Sequence, residues 1–124
     1  MMSDIINFDG RIFQSISNST NGDVGSATLF FYHEKGDCVW GEYFGGEIVR
    51  GMLLAKKALN GSLDMRYQHI NSRGDLVTGV SNSCVEILED GRYRLAEAWQ
   101  WTSGKSGAGQ SVLEETSGDA RFVL

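Results

Sequence analysis

Short runs of alternating apolar and polar residues, separated by glycine-containing turns, make up most of this chain. Residues 92–102 (RYRLAEAWQWT) alternate most cleanly, and Asp90-Gly91 just before them is a strong hairpin signal. Because alternation with period two places successive side chains on opposite faces, each run predicts a β-strand with one buried face. The runs lie at residues 11–17, 28–34, 38–44, 62–70, 76–88, 92–102 and 110–116, and residues 121–124 are a candidate for a last edge strand.

One segment, residues 48–59, fits two patterns. Val49, Met52 and Leu53 have the spacing of one face of a helix. Gly51 interrupts that helix, however, and the runs on both sides are strands. We therefore predict a strand here that reaches residue 57, with a helix over residues 52–59 as the alternative.

Eight or nine strands joined by short turns predict an all-β, antiparallel meander. A single up-and-down β-barrel is favoured because closure removes the exposed edges of the sheet. A β-sandwich is the main alternative, and a glycine-repeat solenoid is disfavoured because the glycine intervals are unequal. Gly41, Gly51 and Gly79 fall within strands, where glycine helps a closing sheet to bend.

Composition limits the size and partners of this barrel. With 124 residues, the chain is long enough for one domain, residues 1–124, of which residues 1–7 are a candidate for disorder. The net charge of −5 and the absence of a long basic run argue against binding to nucleic acid or to anionic membranes. No stretch approaches the ~20 apolar residues of a membrane span, and we detect no secretory signal, so a cytoplasmic location is expected.

The cysteine and histidine counts argue against a metal site. The chain has two Cys and two His, too few for a zinc site with spaced Cys and His ligands. A structural disulfide between Cys38 and Cys84 is not expected in a reducing cytoplasm. We predict neither a bound metal nor a cofactor.

The clearest candidate chemistry lies on the strand at residues 92–102. Tyr93, Leu95, Glu97, Trp99 and Trp101 share one face, which we predict to be the interior. Glu97 then lies among aromatic side chains, where a carboxylate is costly unless it is paired or protonated. Two interpretations stay open: Glu97 is a hydrogen-bonded structural lock, or it is the polar anchor of a ligand pocket. The Ala residues on the other face suit close packing against another layer of the fold or against a second subunit.

Two further strands carry aromatic and titratable side chains on a predicted inner face. Met65, Tyr67 and His69 alternate on one of them. On the other, Trp40, Glu42 and Phe44 repeat an aromatic–acid–aromatic pattern, with Tyr43 on the opposite face. If His69 and Glu97 meet inside the barrel, they form a candidate acid–base pair. The predicted ligand-binding residues are Trp40, Tyr67, His69, Glu97, Trp99 and Trp101.

Several longer runs resemble a family of small bacterial proteins that often carry the label N-acetylglutamate synthase. The resemblance spans roughly residues 28–116 and rests on residues 41–51 (GEYFGGEIVRG), Tyr67-Gln68, Thr78-Gly79, residues 90–104 (DGRYRLAEAWQWTSG) and Glu114-Glu115. It implies an avidin-like or calycin-like β-barrel. An acetyltransferase that holds acyl-CoA pyrophosphate on a Gly-rich turn opening a helix would need a strand-turn-helix unit, which the sequence lacks. No synthase residue can be carried over, and we expect no acetyl transfer.

Three functions are therefore compared below. The first is a non-enzymatic barrel that binds a small, partly apolar ligand, with Glu97 and His69 fixing its orientation. The second is an enzyme that uses Glu97 and His69 as acid and base. The third is a structural module whose interior is filled by side chains. A homo-oligomer is expected as well.

Overall fold

The computed structural model describes residues 5–104 and 106–116, which form one closed β-barrel. Its eight strands pair antiparallel in sequence order, and the last strand closes against the first. The predicted all-β barrel is confirmed, and the sandwich and solenoid alternatives are wrong. The strands are β1 (Ile12–Asn18), β2 (Leu29–Lys35), β3 (Cys38–Gly45), β4 (Ile48–Lys57), β5 (Leu63–Asn71), β6 (Leu76–Ile87), β7 (Tyr93–Trp101) and β8 (Ala108–Glu115).

Two earlier predictions concern the ends of the chain. The candidate edge strand at residues 121–124 lies outside the described residues. Residues 1–4 of the segment considered for disorder also lie outside them, whereas the Asn7 amide donates a hydrogen bond to the Tyr93 hydroxyl at 3.1 Å. Within the described ranges, no helix is long and apolar enough to cross a membrane.

The ambiguous segment forms strand β4 along ten residues. Gly51, Leu53 and Ala55 face the interior, while Met52 and Leu54 face outward. Pairing with β3 on one side and β5 on the other satisfies the backbone of β4. These tertiary hydrogen bonds outweigh the helical spacing of its apolar residues, so the helix alternative is wrong.

One end of the barrel interior is filled by side chains, and we call it the closed end. Phe8, Phe13 and Leu95 are almost completely buried there, and the Tyr32 ring packs on Phe8 and Phe13 at the boundary with the other end. The segment preceding β1 crosses this end: the Phe8 amide donates to Glu34 Oε1 at 2.8 Å, and Lys57 Nζ donates to the Ile6 carbonyl and to Glu34. The apolar packing and the ion pair exclude water from this half of the barrel.

Glycines inside the strands make room for aromatic rings. Tyr43 pairs with Gly51 across β3 and β4, and Tyr67 pairs with Gly79 across β5 and β6. A Cβ atom at either glycine would overlap the tyrosine ring. The rings therefore cover the glycines, which adds a packing role to the bending that we predicted from the sequence.

Candidate functional site

The other end of the barrel, which we call the open end, contains a cavity. The cavity has a volume of about 50 Å³, which is enough for a few water molecules or one small chemical group. Its aromatic walls are Phe30, Tyr32, Tyr43, Tyr67, Trp99 and Trp101. Its polar groups include Asp23, His69, Ser81, Glu97 and Ser111. The interior is thus filled at the closed end and hollow at the open end.

Glu97 is the carboxyl group in the cavity wall contributed by β7. It accepts hydrogen bonds from Ser83 Oγ at 2.9 Å and from Ser111 Oγ at 3.2 Å. Burial raises the pKa of Glu97 from 4.5 to about 7, although the two serine hydroxyls act in the opposite direction. Its side chain keeps some exposure because it faces the cavity. At neutral pH, Glu97 is therefore present in both the protonated and the ionised form.

Two buried hydroxyls in the same cavity have no hydrogen-bond partner within the described part of the chain. They are Tyr32 Oη on β2 and Ser81 Oγ on β6. Tyr32 and Ser81 are 1% and 4% exposed, so both hydroxyls have lost bulk water. An unsatisfied buried polar group costs about 1–3 kcal/mol, and each one calls for an explanation.

A hydrogen-bonded chain runs along the rim of the cavity. His69 Nε2 lies 2.9 Å from Asp23 Oδ2, and His69 Nδ1 lies 2.9 Å from the Tyr43 hydroxyl. With neutral imidazole, Nε2–H donates to the carboxylate and the Tyr43 hydroxyl donates to Nδ1. Both ring nitrogens of His69 are therefore engaged, and the ring is fixed between β3 and the β1–β2 loop.

Asp23 connects the β1–β2 loop to strand β5 and the turn after it. Its carboxylate also accepts from Asn71 Nδ2 at 3.2 Å and from Arg73 Nη2 at 2.9 Å. Burial alone would raise the pKa of Asp23, but the hydrogen bonds from His69, Arg73 and Asn71 outweigh it, so its pKa is lowered. Asp23 is therefore an ionised tie that holds this loop over the open end.

Aromatic contacts hold the cavity walls in place. The Phe30 and Tyr43 rings stack with centroids 4.9 Å apart, and the Trp99 and Trp101 rings are 5.4 Å apart. Trp99 Nε1 donates to Asn18 Oδ1 at 2.9 Å, which fixes the indole at the end of β1. The walls are rigid aromatic surfaces, as expected for a preformed pocket.

The tyrosine hydroxyls in the cavity remain neutral. Burial raises the pKa of Tyr32 well above its usual value, and the negative charge of Glu97 adds to this effect. Burial also raises the pKa of Tyr67, again with a contribution from Glu97. The charge of Glu97 also helps to raise the pKa of Tyr43, so it acts on tyrosines of three other strands.

Five of the six predicted ligand-binding residues line this cavity, and one does not. Tyr67, His69, Glu97, Trp99 and Trp101 surround it, and their role in binding stays a prediction. The predicted inward orientation of Trp40 is wrong.

Trp40 lies on the outer face, where 37% of it is exposed, and Tyr43 occupies the inner face of β3. Both faces of β3 are partly apolar, so alternation alone does not decide which one is buried. The observed orientation of β3 places Glu42 on the outer face, where Glu42 Oε1 lies 2.9 Å from His33 Nε2. The opposite orientation would bury the Glu42 carboxylate without a partner.

The candidate acid–base pair is not directly bonded. His69 contacts Asp23 and Tyr43, whereas Glu97 contacts Ser83 and Ser111. The two groups lie in different parts of the wall of one cavity. This arrangement does not position one as the proton-transfer partner of the other.

Sequence reasoning missed Asp23, Tyr43 and Ser81. For Ser81, a signal was available: the Asp90-Gly91 hairpin sets the register in which Ser83 pairs with Glu97 and Ser81 with Trp99. Directly paired residues share a face, so an inward Glu97 implies inward serines. Asp23 carried no such signal, because its position depends on how a loop folds back.

The comparisons with known proteins agree with this architecture. A family model described as an avidin-like protein matches residues 6–116. No curated protein and no solved structure is matched. The N-acetylglutamate synthase label receives no support from the match or from the site. Within residues 5–104 and 106–116, no group of three or more His, Cys, Asp or Glu side chains is arranged to hold a metal ion.

Proposed function

The chain belongs to the avidin-like family, and we propose that it binds a small, partly apolar ligand in the cavity at the open end of its barrel. Eight-stranded barrels have an interior wide enough to hold one small ligand. Rigid aromatic walls with a few polar groups are typical of such sites. The proposal assigns binding to the cavity residues Tyr67, His69, Glu97, Trp99 and Trp101, together with Tyr43.

One observation carries the proposal: the cavity wall combines a buried carboxyl group with two hydroxyls that have no hydrogen-bond partner among the residues that the structure describes. Glu97, Tyr32 and Ser81 reduce stability where apolar side chains would have filled the space. A barrel that served only as a filled structural module would have no use for this arrangement. Local departures from good packing are expected where a protein binds something.

The test is a metabolite screen monitored by tryptophan fluorescence. Trp99 and Trp101 line the cavity, whereas Trp40 lies outside and contributes a constant background, so the screen uses a Trp40→Phe variant. We expect a saturable change in emission with at least one class of small molecule. Trp99→Phe in the same background should reduce that change. Emission that stays flat across the screen would support the filled module instead.

An enzyme is the second candidate, and it is less well supported. Both nitrogens of His69 are engaged, and no hydrogen bond joins His69 to Glu97. A Glu97→Gln variant that retains ligand binding but abolishes turnover would favour catalysis. An assay for acetyl transfer from acetyl-CoA to glutamate should show no activity.

We also propose that the protein assembles as a homo-oligomer in the cytoplasm. Apolar side chains on the outer face of the barrel support the assembly: Trp40, Met52, Leu54, Ile70 and Leu76 are all at least 37% exposed. Trp40 pairs with Leu54 across β3 and β4, and Ile70 pairs with Leu76 across β5 and β6. Met52 of β4 pairs directly with Gln68 but lies diagonally next to Ile70, and this contact joins the two pairs into one outer apolar face. Such contiguous faces are usually covered by a partner, and a second copy offers the same chemistry.

A further inference from the structure

The carboxyl group in the cavity has no cationic partner within residues 5–104 and 106–116. Its hydrogen bonds in this part of the chain come from the neutral hydroxyls of Ser83 and Ser111. The carboxylate at the rim, Asp23, is by contrast paired with the Arg73 guanidinium and accepts a hydrogen bond from His69. Buried charges in proteins are normally paired, and the described part of the chain supplies no positive charge to Glu97.

The rest of the cavity wall is also suited to a cation. Six aromatic rings surround it, and the faces of such rings attract ammonium groups, most strongly when the cation is desolvated. Tyr32 Oη and Ser81 Oγ, which have no partner in the described ranges of the chain, can both accept hydrogen bonds. Together with the Glu97 carboxylate they offer three acceptors, and a primary ammonium group has three N–H donors.

We propose that the ligand carries a protonated amine, and that its ammonium group binds in the cavity between Glu97 and the aromatic walls. This inference rests on the proposed ligand binding and names the chemical class of the ligand. The cavity volume of about 50 Å³ suits an ammonium head group. The remainder of the ligand extends through the open end, past Trp101 and the loop that carries Asp23.

Binding of a cation is coupled to the protonation of Glu97. The titratable groups that face the same cavity are Tyr32 from β2, Tyr43 from β3, Tyr67 and His69 from β5, and Asp23 from the β1–β2 loop. Strands β6 and β8, which flank Glu97, contribute only serines to the cavity. Because the pKa of Glu97 is about 7 without ligand, a cation must displace a proton below that pH. Affinity should fall about tenfold for each pH unit below 7.

The test uses three probes of similar size and different charge: n-butylammonium, 1-butanol and butyrate. Binding is measured at pH 8 by calorimetry and by tryptophan fluorescence of the full chain. We expect n-butylammonium to bind at least tenfold more tightly than 1-butanol, and butyrate to bind more weakly than either. Glu97→Gln should remove this preference for the cation. Glu42→Gln, which changes a carboxylate on the outer face, should leave it intact.

A second variant guards against loss of folding. Ser81→Ala removes a hydroxyl for which the described residues supply no partner, so the melting temperature of the variant should stay equal or rise. Its affinity for n-butylammonium should nevertheless fall about threefold to tenfold. An unchanged affinity in Ser81→Ala and Glu97→Gln would overturn the inference. So would equal or tighter binding of 1-butanol or butyrate, which would leave the proposed ligand binding in place. If none of the probes and no metabolite in the screen bound, both proposals would fail.

Discussion

At the scale of the residue, Glu97 links the stability of the barrel to pH. Its pKa in the folded protein is about 7, above the unfolded value of 4.5. The folded state therefore holds the proton more tightly, and stability is highest below pH 4.5 and decreases as the pH rises to about 7. Glu97→Gln removes this loss of stability, because glutamine does not ionise. We expect the variant to gain roughly 2–3 kcal/mol relative to the wild type between pH 5 and pH 8.

Urea unfolding of the wild type and of Glu97→Gln at pH 5 and at pH 8 measures this gain in the free energy of unfolding. Glu42→Gln is the matched control, because the Glu42 side chain is 44% exposed and should change stability little. A stability difference between the wild type and Glu97→Gln that does not depend on pH would contradict the raised pKa. The same substitution should therefore stabilise the fold and weaken binding of a cation.

Asp23 has the opposite dependence on pH. Its pKa is lowered in the folded protein, so its contribution is complete above its unfolded pKa of 3.8 and is lost as the pH falls through the folded pKa. Asp23→Ala leaves His69 Nε2–H buried without an acceptor and should cost roughly 2–4 kcal/mol at pH 7. Hydrogen exchange should become faster in the β1–β2 loop. Asp75→Ala is the control, because Asp75 is exposed and its ion pair with Arg73 is weak, with 3.6 Å between the charged atoms.

At the scale of the element, the strands illustrate what alternation can predict. On β7 the alternation is clean, and the predicted inner face with Glu97 and Trp99 agrees with the observed one. On β3 both faces carry aromatic residues, so the prediction chose Trp40 where the barrel uses Tyr43. On β6 the inner face is formed by Gly79, Ser81 and Ser83, because larger side chains of the neighbouring strands β5 and β7 occupy the interior opposite them. A small polar face of this kind carries no hydrophobic signal.

The aromatic–glycine pairs between strands give a test at this scale. In Gly51→Ala, the new Cβ would overlap the Tyr43 ring and push it away from His69. We expect a loss of about 1–3 kcal/mol from overpacking, together with weaker ligand binding. Gly25→Ala is the control, because a Cβ there meets no atom within 4 Å. Thermal melts that are equal for the two variants would show that the Tyr43–Gly51 contact is not tightly packed.

At the scale of the whole molecule, closure of the meander separates three environments. The closed end is filled with aromatic and aliphatic side chains, the open end is hollow, and the outer face keeps an apolar stripe. The order of the strands was predictable because consecutive hairpins leave few topologies. The cavity was not predictable, because it depends on the orientation of the aromatic rings and on the β1–β2 loop, which Asp23 holds over the open end. The fold therefore follows from local patterns, while the site follows from long-range contacts.

The outer apolar face is the property of the whole molecule that a single substitution can test. Leu54 is 57% exposed and lies at the centre of this face, between Trp40 of β3 and the strand β5. If a second copy covers this face, Leu54→Glu buries a carboxylate in the interface and should shift the protein to monomers in light scattering. Ala98→Glu places the same charge on the outer face of β7, where the small residues first suggested packing. Dissociation by Ala98→Glu alone would move the interface to β7, and a wild type that is monomeric at high concentration would rule out the assembly.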